Sequence, residues 1–180
     1  MRRLTFCTLL GFLLVPVTVE AQPRLMFGGG LSSPYSDFGE GAEAGWHGMA
    51  GLQLEVPGIP IAIRADAAHH SFGEMEASGV TERTTLLTGA ISGVLTLPGI
   101  GIGPYLLGGV GVSRNKSDLI ICALSASCST TRSDPSFHLG AGVTLGALGF
   151  GGFAEIRGTQ ASSGMGSSLR FLAATVGIRL

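Results

Sequence analysis

The chain has 180 residues, of which 13% are charged and 30 are glycine, with a formal net charge of -1. A typical soluble domain carries about a quarter charged residues and about 7% glycine, so this surface is too poor in charge to be wholly wetted. The near-neutral balance, with no basic stripe, argues against a nucleic-acid partner.

The first residues read as a targeting segment. Arg2 and Arg3 precede a mostly apolar stretch from Leu4 to Val19, and Val19-Glu20-Ala21 ends on a small residue before Gln22. This predicts a cleaved secretory signal over 1–21 and a single mature domain over 22–180. The apolar core is short and broken by Pro16, which disfavours an uncleaved anchor. Cys7 leaves with the signal. Beyond it no run of about 18 apolar residues exists, so no spanning helix is expected. A closed barrel is then the remaining structure that satisfies its backbone in lipid.

Eight alternating segments follow: Arg24–Leu31, Ala44–Val56, Ile61–His70, Glu82–Leu97, Ile102–Arg114, Ser136–Ala147, Phe150–Thr159 and Leu169–Leu180. Each has one apolar face and one small or polar face, the period of a strand. Tight turns fall at Pro57-Gly58-Ile59-Pro60, Pro98-Gly99-Ile100-Gly101 and Leu148-Gly149. Longer polar stretches fall at Ser32–Glu43, Ser71–Thr81, Asn115–Asp134 and Gln160–Ser168. Short turns alternating with long loops suit a closed, antiparallel, up-and-down transmembrane barrel of eight strands.

Register supports that reading. Pairing Val56 with Ile61 sets Leu54 against Ile63 and Leu52 against Ala65. Pairing Leu97 with Ile102 puts Leu95, Ile91 and Leu87 on one face with Leu106, Val110 and Val112. Pairing Ala147 with Phe150 aligns Leu145, Val143 and Leu139 with Ala154 and Ile156. Each turn joins two apolar faces, as register requires. The opposite face carries Gln53, Glu55, Arg64, Asp66, Glu155, Arg157, Thr175 and Arg179 among glycines. The interior of a barrel this narrow is filled by side chains. Gly142 is expected opposite Glu155 and Gly140 opposite Arg157.

The phrase Pro104-Tyr105-Leu106-Leu107-Gly108-Gly109-Val110-Gly111-Val112, with the terminal strand Leu169–Leu180, resembles the small OmpA-like and opacity-type outer-membrane barrels. The resemblance implies an outer-membrane protein in contact with lipid, delivered by the barrel-assembly machinery. A monomer with no cofactor is expected. Two departures stand out: the chain ends in Leu180 where the family usually has Phe or Trp, and its aromatic belt is thin, with Trp46 and Phe27 as candidates. No peptidoglycan-binding domain is expected after the barrel.

Four groups of residues carry candidate chemistry. Glu55, Asp66 and Glu155 balance Arg64, Arg157 and Arg179, a set expected to plug the lumen or, in the alternative, to line a narrow ion path; Glu55 and Arg64 are expected in diagonal contact. His47 is expected to face His70 inside the barrel, with His138 at similar height. They are a weak candidate metal site, and no Cys or carboxylate completes a ligand motif. Cys122 and Cys128 are expected to form a disulfide in the longest loop, beside the apolar Leu119-Ile120-Ile121. His69-His70-Ser71 with Glu82 is similar to the His-x-Ser pair of outer-membrane lipid A deacylases, but it lies on an early strand, and no enzyme is expected. Outside the membrane class, the alternative is a secreted lipocalin-type barrel with the apolar face turned inward.

Overall fold

In a computed structural model the described residues are 22–35, 43–55, 58–73, 75–77, 80–98, 102–121, 126–147, 150–162 and 168–180, with backbone alone for 75–77, 80–83, 117–121, 126–129, 147 and 150. They form β1 (Gln22–Tyr35), β2 (Glu43–Glu55), β3 (Ile61–Gly73), β4 (Met75–Ala77), β5 (Val80–Thr96), β6 (Ile102–Ile121), β7 (Ala126–Ala147), β8 (Phe150–Ser162) and β9 (Ser168–Arg179). Every pairing is antiparallel, β3 also pairs with β5, and β1 pairs with β9, so the sheet closes on itself. β4 continues the line of β3 along β5, and the barrel therefore has eight staves. The structure thus agrees with the expected fold class.

The register fixes the barrel's shape. Going round the wall, Gln22 pairs with Glu55, then come Ala62, Val94, Leu107, Gly140, Arg157 and Ala173, and Ala173 pairs with Ser32. One circuit returns to β1 ten residues beyond its start. With the usual rise and strand spacing, this shear tilts the strands by about 41°. Each residue then climbs roughly 2.5 Å along the barrel axis.

Alternation decides which face is wet. In β3 the burial alternates strictly, with Ala62, Arg64, Asp66, Ala68 and His70 inside and Ile61, Ile63, Ala65, Ala67 and His69 outside. Leu139 is 69% exposed, Leu31 68% and Val176 67%, all on the outer wall. On β6 the outer apolar positions run from Ile102 to Val112. That is a band about 25 Å tall, the height of a hydrocarbon core. The lipocalin-type alternative is overturned here, because the apolar face points out and the charges point in.

Two expected turns hold their register and one shifts. Leu54 faces Ile63, and Leu52 faces Ala65. Gly58 adopts a φ of 80° in the first turn, a conformation that glycine takes without strain. Ala147 pairs with Phe150. At the second turn Thr96 pairs with Tyr105, and the Leu97 amide donates to the Pro104 carbonyl. Leu97 therefore aligns with Pro104 rather than Ile102. The slip is two residues, so the faces are kept and Leu95 still meets Leu106 on the apolar side.

The strands are longer than hydrophobic alternation indicated. β6 and β7 pair out to Ile121 and Ala126, through the stretch expected as a loop from Asn115 to Asp134. β1 likewise includes Ser32–Tyr35. Above the membrane a strand needs no greasy face, so its ladder continues through Ser and Thr without the signal that marks the lower part. The signal over 1–21 and Cys122 lie outside the described residues. Cys128 is described only as a backbone position opposite Leu119.

Candidate functional site: the lumen

The inner wall brings the expected charges together in two layers. Near the turn end, Glu55 receives hydrogen bonds from Arg24 Nε at 2.9 Å, Gln53 Nε2 at 2.8 Å and Arg179 Nη1 at 2.7 Å. Arg24 lies on β1, Glu55 on β2 and Arg179 on β9, so this cluster clasps the seam where the first and last strands meet.

At mid-height lies a denser group. Arg64 Nη2 donates to Glu155 Oε2 at 2.6 Å, and both side chains are fully buried. Tyr105 Oη donates to the same carboxylate at 2.8 Å. Arg157 donates from Nε to Glu155 Oε1 at 3.0 Å and from Nη1 to Asp66 Oδ1 at 2.7 Å. The guanidinium of Arg64 also stands 5.7 Å from the centre of the Tyr105 ring. Two cations, two anions and a phenol thus span the lumen from β3 to β8. Buried charges survive only when paired and hydrogen-bonded in this way.

Glycine makes room for these groups. Gly142 pairs with Glu155, and Gly140 with Arg157, as expected from sequence. A Cβ on Gly142 would collide with the Tyr105 ring. Small residues opposite long polar ones let a barrel of eight staves hold two arginines abreast.

One expected contact does not form. Glu55 and Arg64 are not bonded to each other. Arg64 pairs in register with Gln53, and its side chain crosses to Glu155 on the far wall. Glu55 turns to the two arginines at the β1–β9 seam. Arg24 and Tyr105 were not singled out from sequence. Their inward parity was a usable signal, but it had weight only once a closed register supplied their partners.

Above the charges lies a hydroxyl and imidazole layer. His47 pairs with His70 as expected, with ring centres 5.1 Å apart. Ser32 Oγ bridges them, 3.0 Å from His47 Nδ1 and 2.8 Å from His70 Nδ1. His47 Nε2 meets Thr175 Oγ1 at 2.9 Å. His138 stands on the opposite wall, bonded to Ser92 Oγ at 2.7 Å. The three histidines thus have hydroxyl partners and do not converge, and no metal-holding cluster occurs among the described residues. Phe72, Leu86, Phe171 and Ala173 then cap the lumen with an apolar layer.

The cavity lined by His47, Asp66, His70, Arg157 and Thr175 measures about 20 Å³. That is room for about one water molecule. A wider vestibule of about 510 Å³ opens at the turn end, between Gln22, Glu55, Pro60, Thr144 and Arg179.

Solved structures share this closed, eight-stave geometry. Neisserial surface protein A aligns with a TM-score of 0.68 and 13% identity, over 89% of this chain and 97% of that one. The fold is that of a small outer-membrane β-barrel. Ail, the attachment invasion locus protein of Yersinia pestis, aligns at 0.59 and 16% identity, over 89% of this chain and 99% of Ail. A major outer membrane protein of Thermus thermophilus aligns at 0.65 and 10% identity, over 89% and 98%. No family model and no curated protein matches the sequence itself. The barrel is therefore shared while nearly all of its side chains differ.

Two of the deacylase-like residues share the outer wall. His69 lies on the outer wall against Trp46, with ring centres 5.9 Å apart. Ser71 follows on the same outer face, paired with Trp46 and Thr85. Glu82 is described only by its backbone pairing with Met75.

Proposed function

We propose that this protein is a monomeric, non-enzymatic barrel of the bacterial outer membrane, with a lumen closed to solutes and loops that serve as its contact surface. Membrane lipid is its permanent partner, and the barrel-assembly machinery is its partner during insertion. The signal over 1–21 would direct export, and a Cys122–Cys128 disulfide would staple the longest loop.

The observation that carries the closed lumen is the fully buried Arg64–Glu155 pair, which together with Arg157, Asp66 and Tyr105 bridges opposite walls. A water-filled channel would hydrate these groups instead of leaving them stripped of solvent. Purified protein in planar bilayers tests this. The expected result is no steady single-channel current. A reproducible conductance step would replace this reading with that of a narrow pore. Replacing Arg64 and Glu155 together by alanine should still give no steady current, because the Arg157–Asp66 bridge and the apolar layer of Phe72, Leu86 and Phe171 remain across the lumen.

A further inference from the structure

We infer that the seam between β1 and β9 is held, above the charged layer, by an acid-sensitive clasp: the chain Thr175–His47–Ser32–His70, in which the two imidazoles carry opposite tautomers. It goes beyond the function proposed above and concerns how the barrel stays closed.

The register builds the chain. Thr175 on β9, Gly30 on β1, His47 on β2 and His70 on β3 share one row. Gly30 has no side chain, and a Cβ there would run into the Ala174 backbone. The imidazole of His47 therefore passes over β1 and reaches Thr175. Ser32, the next inward residue on β1, meets the Nδ1 atoms of both histidines. All four polar side chains are buried. The chain ties β1, β2, β3 and β9 together, as Glu55 with Arg24 and Arg179 ties the same seam at the turn end.

Counting protons fixes the tautomers. The Ser32 hydroxyl has one hydrogen and faces two ring nitrogens, so it donates to one and accepts from the other. Thr88 decides which. Its hydroxyl donates to the Ala68 carbonyl at 3.4 Å, so it accepts from His70 Nε2 at 3.5 Å. His70 then has a bare Nδ1, which accepts from Ser32. Ser32 in turn accepts from the Nδ1–H of His47, and the bare Nε2 of His47 accepts from Thr175. Both rings are neutral in this chain, and each uses both of its nitrogens.

A proton added to His70 makes its Nδ1 a donor. Ser32 then faces two donors, and its own hydrogen loses its acceptor. The added charge also finds no uncommitted counterion among the described residues of the lumen. Asp66 lines the same small cavity, but it takes two hydrogen bonds from Arg157. Glu155 on β8 is held by Arg64, Arg157 and Tyr105. On β7, His138 is bonded to Ser92, and Asp134 to Arg132. His69 points outward. The ring of Phe171 stands edge-on to His70, with centres 4.8 Å apart, and separates it from the loop side. A buried charge without a partner is costly, so acid works against this half of the seam.

Urea unfolding from lipid vesicles, followed at about pH 7.5 and about pH 5.5, tests the clasp. In the unfolded chain each histidine gains a proton below about pH 6.5, whereas the clasp receives none, so its stabilisation is full above that range and falls away below it. Between the two conditions the folded-to-unfolded ratio of wild type should drop roughly a hundredfold more than that of H47Q/H70Q, about tenfold for each histidine. Parallel losses in the two proteins would overturn the clasp. Wild type alone supplies a second reading that does not depend on the variant folding. Side-chain nitrogen-15 spectra of the full chain in nanodiscs at neutral pH should show His47 protonated at Nδ1 and His70 at Nε2. The same tautomer on both rings, or a charged ring at neutral pH, would overturn it as well.

Discussion

Glu155 is the residue on which the interior turns, because it accepts hydrogen bonds from Arg64, Tyr105 and Arg157. Glu155→Ala takes the close carboxylate partner from the buried Arg64 while Arg157 keeps Asp66, and should cost about 3–5 kcal/mol. Tyr105→Phe removes one donor to a charged acceptor and should cost about 1.5–3 kcal/mol. Replacing both Arg64 and Glu155 with apolar residues of similar size, Arg64→Met with Glu155→Leu, should cost less than Glu155→Ala alone, since no buried charge then lacks its partner on that axis. Urea unfolding in lipid vesicles ranks the three; a double variant less stable than Glu155→Ala would contradict the pairing. Gly142→Ala pushes a methyl into the Tyr105 ring and should lose about 1–3 kcal/mol in the same assay.

At the scale of the strand, parity is the governing property. Ile156 is 62% exposed on the outer wall, near mid-height of the apolar band. Ile156→Arg should cost about 2–4 kcal/mol, whereas Leu180→Arg at the turn-end rim should cost about 1 kcal/mol or less. Equal costs in vesicle unfolding would argue against a bilayer around this wall. Parity is also what made the fold readable from sequence. A slip of two residues at Leu97 altered the turn and left every face unchanged, so the barrel was legible even where its register was not. Glycine partners such as Gly140 and Arg157 were legible because they follow from one short hairpin. The Arg64–Glu155 bridge was not, since it joins staves that share no hydrogen-bonded edge and depends on the shear of the whole ring. The upper strands were missed for a different reason: β6 beyond Arg114 is held by its ladder to β7, and hydrophobic alternation stops where the lipid stops.

At the scale of the whole molecule, the described wall is apolar outside and polar inside, with most inward charges paired. The shear of ten residues, the band of about 25 Å and the inward charges are three consequences of one closed register. The likeness to Neisserial surface protein A and Ail at 13% and 16% identity shows how loosely such a barrel constrains its sequence. Any set of inward side chains that fills the bore and satisfies its own charges will serve, and here the set is built around glycine and arginine. The most direct test is to fractionate cells expressing the full chain and compare boiled with unboiled membrane samples on a gel. A membrane barrel should be recovered in the outer-membrane fraction and give a faster-migrating unboiled band, because the closed barrel stays compact in detergent. Recovery in the periplasm or the medium, with one mobility before and after boiling, would contradict it.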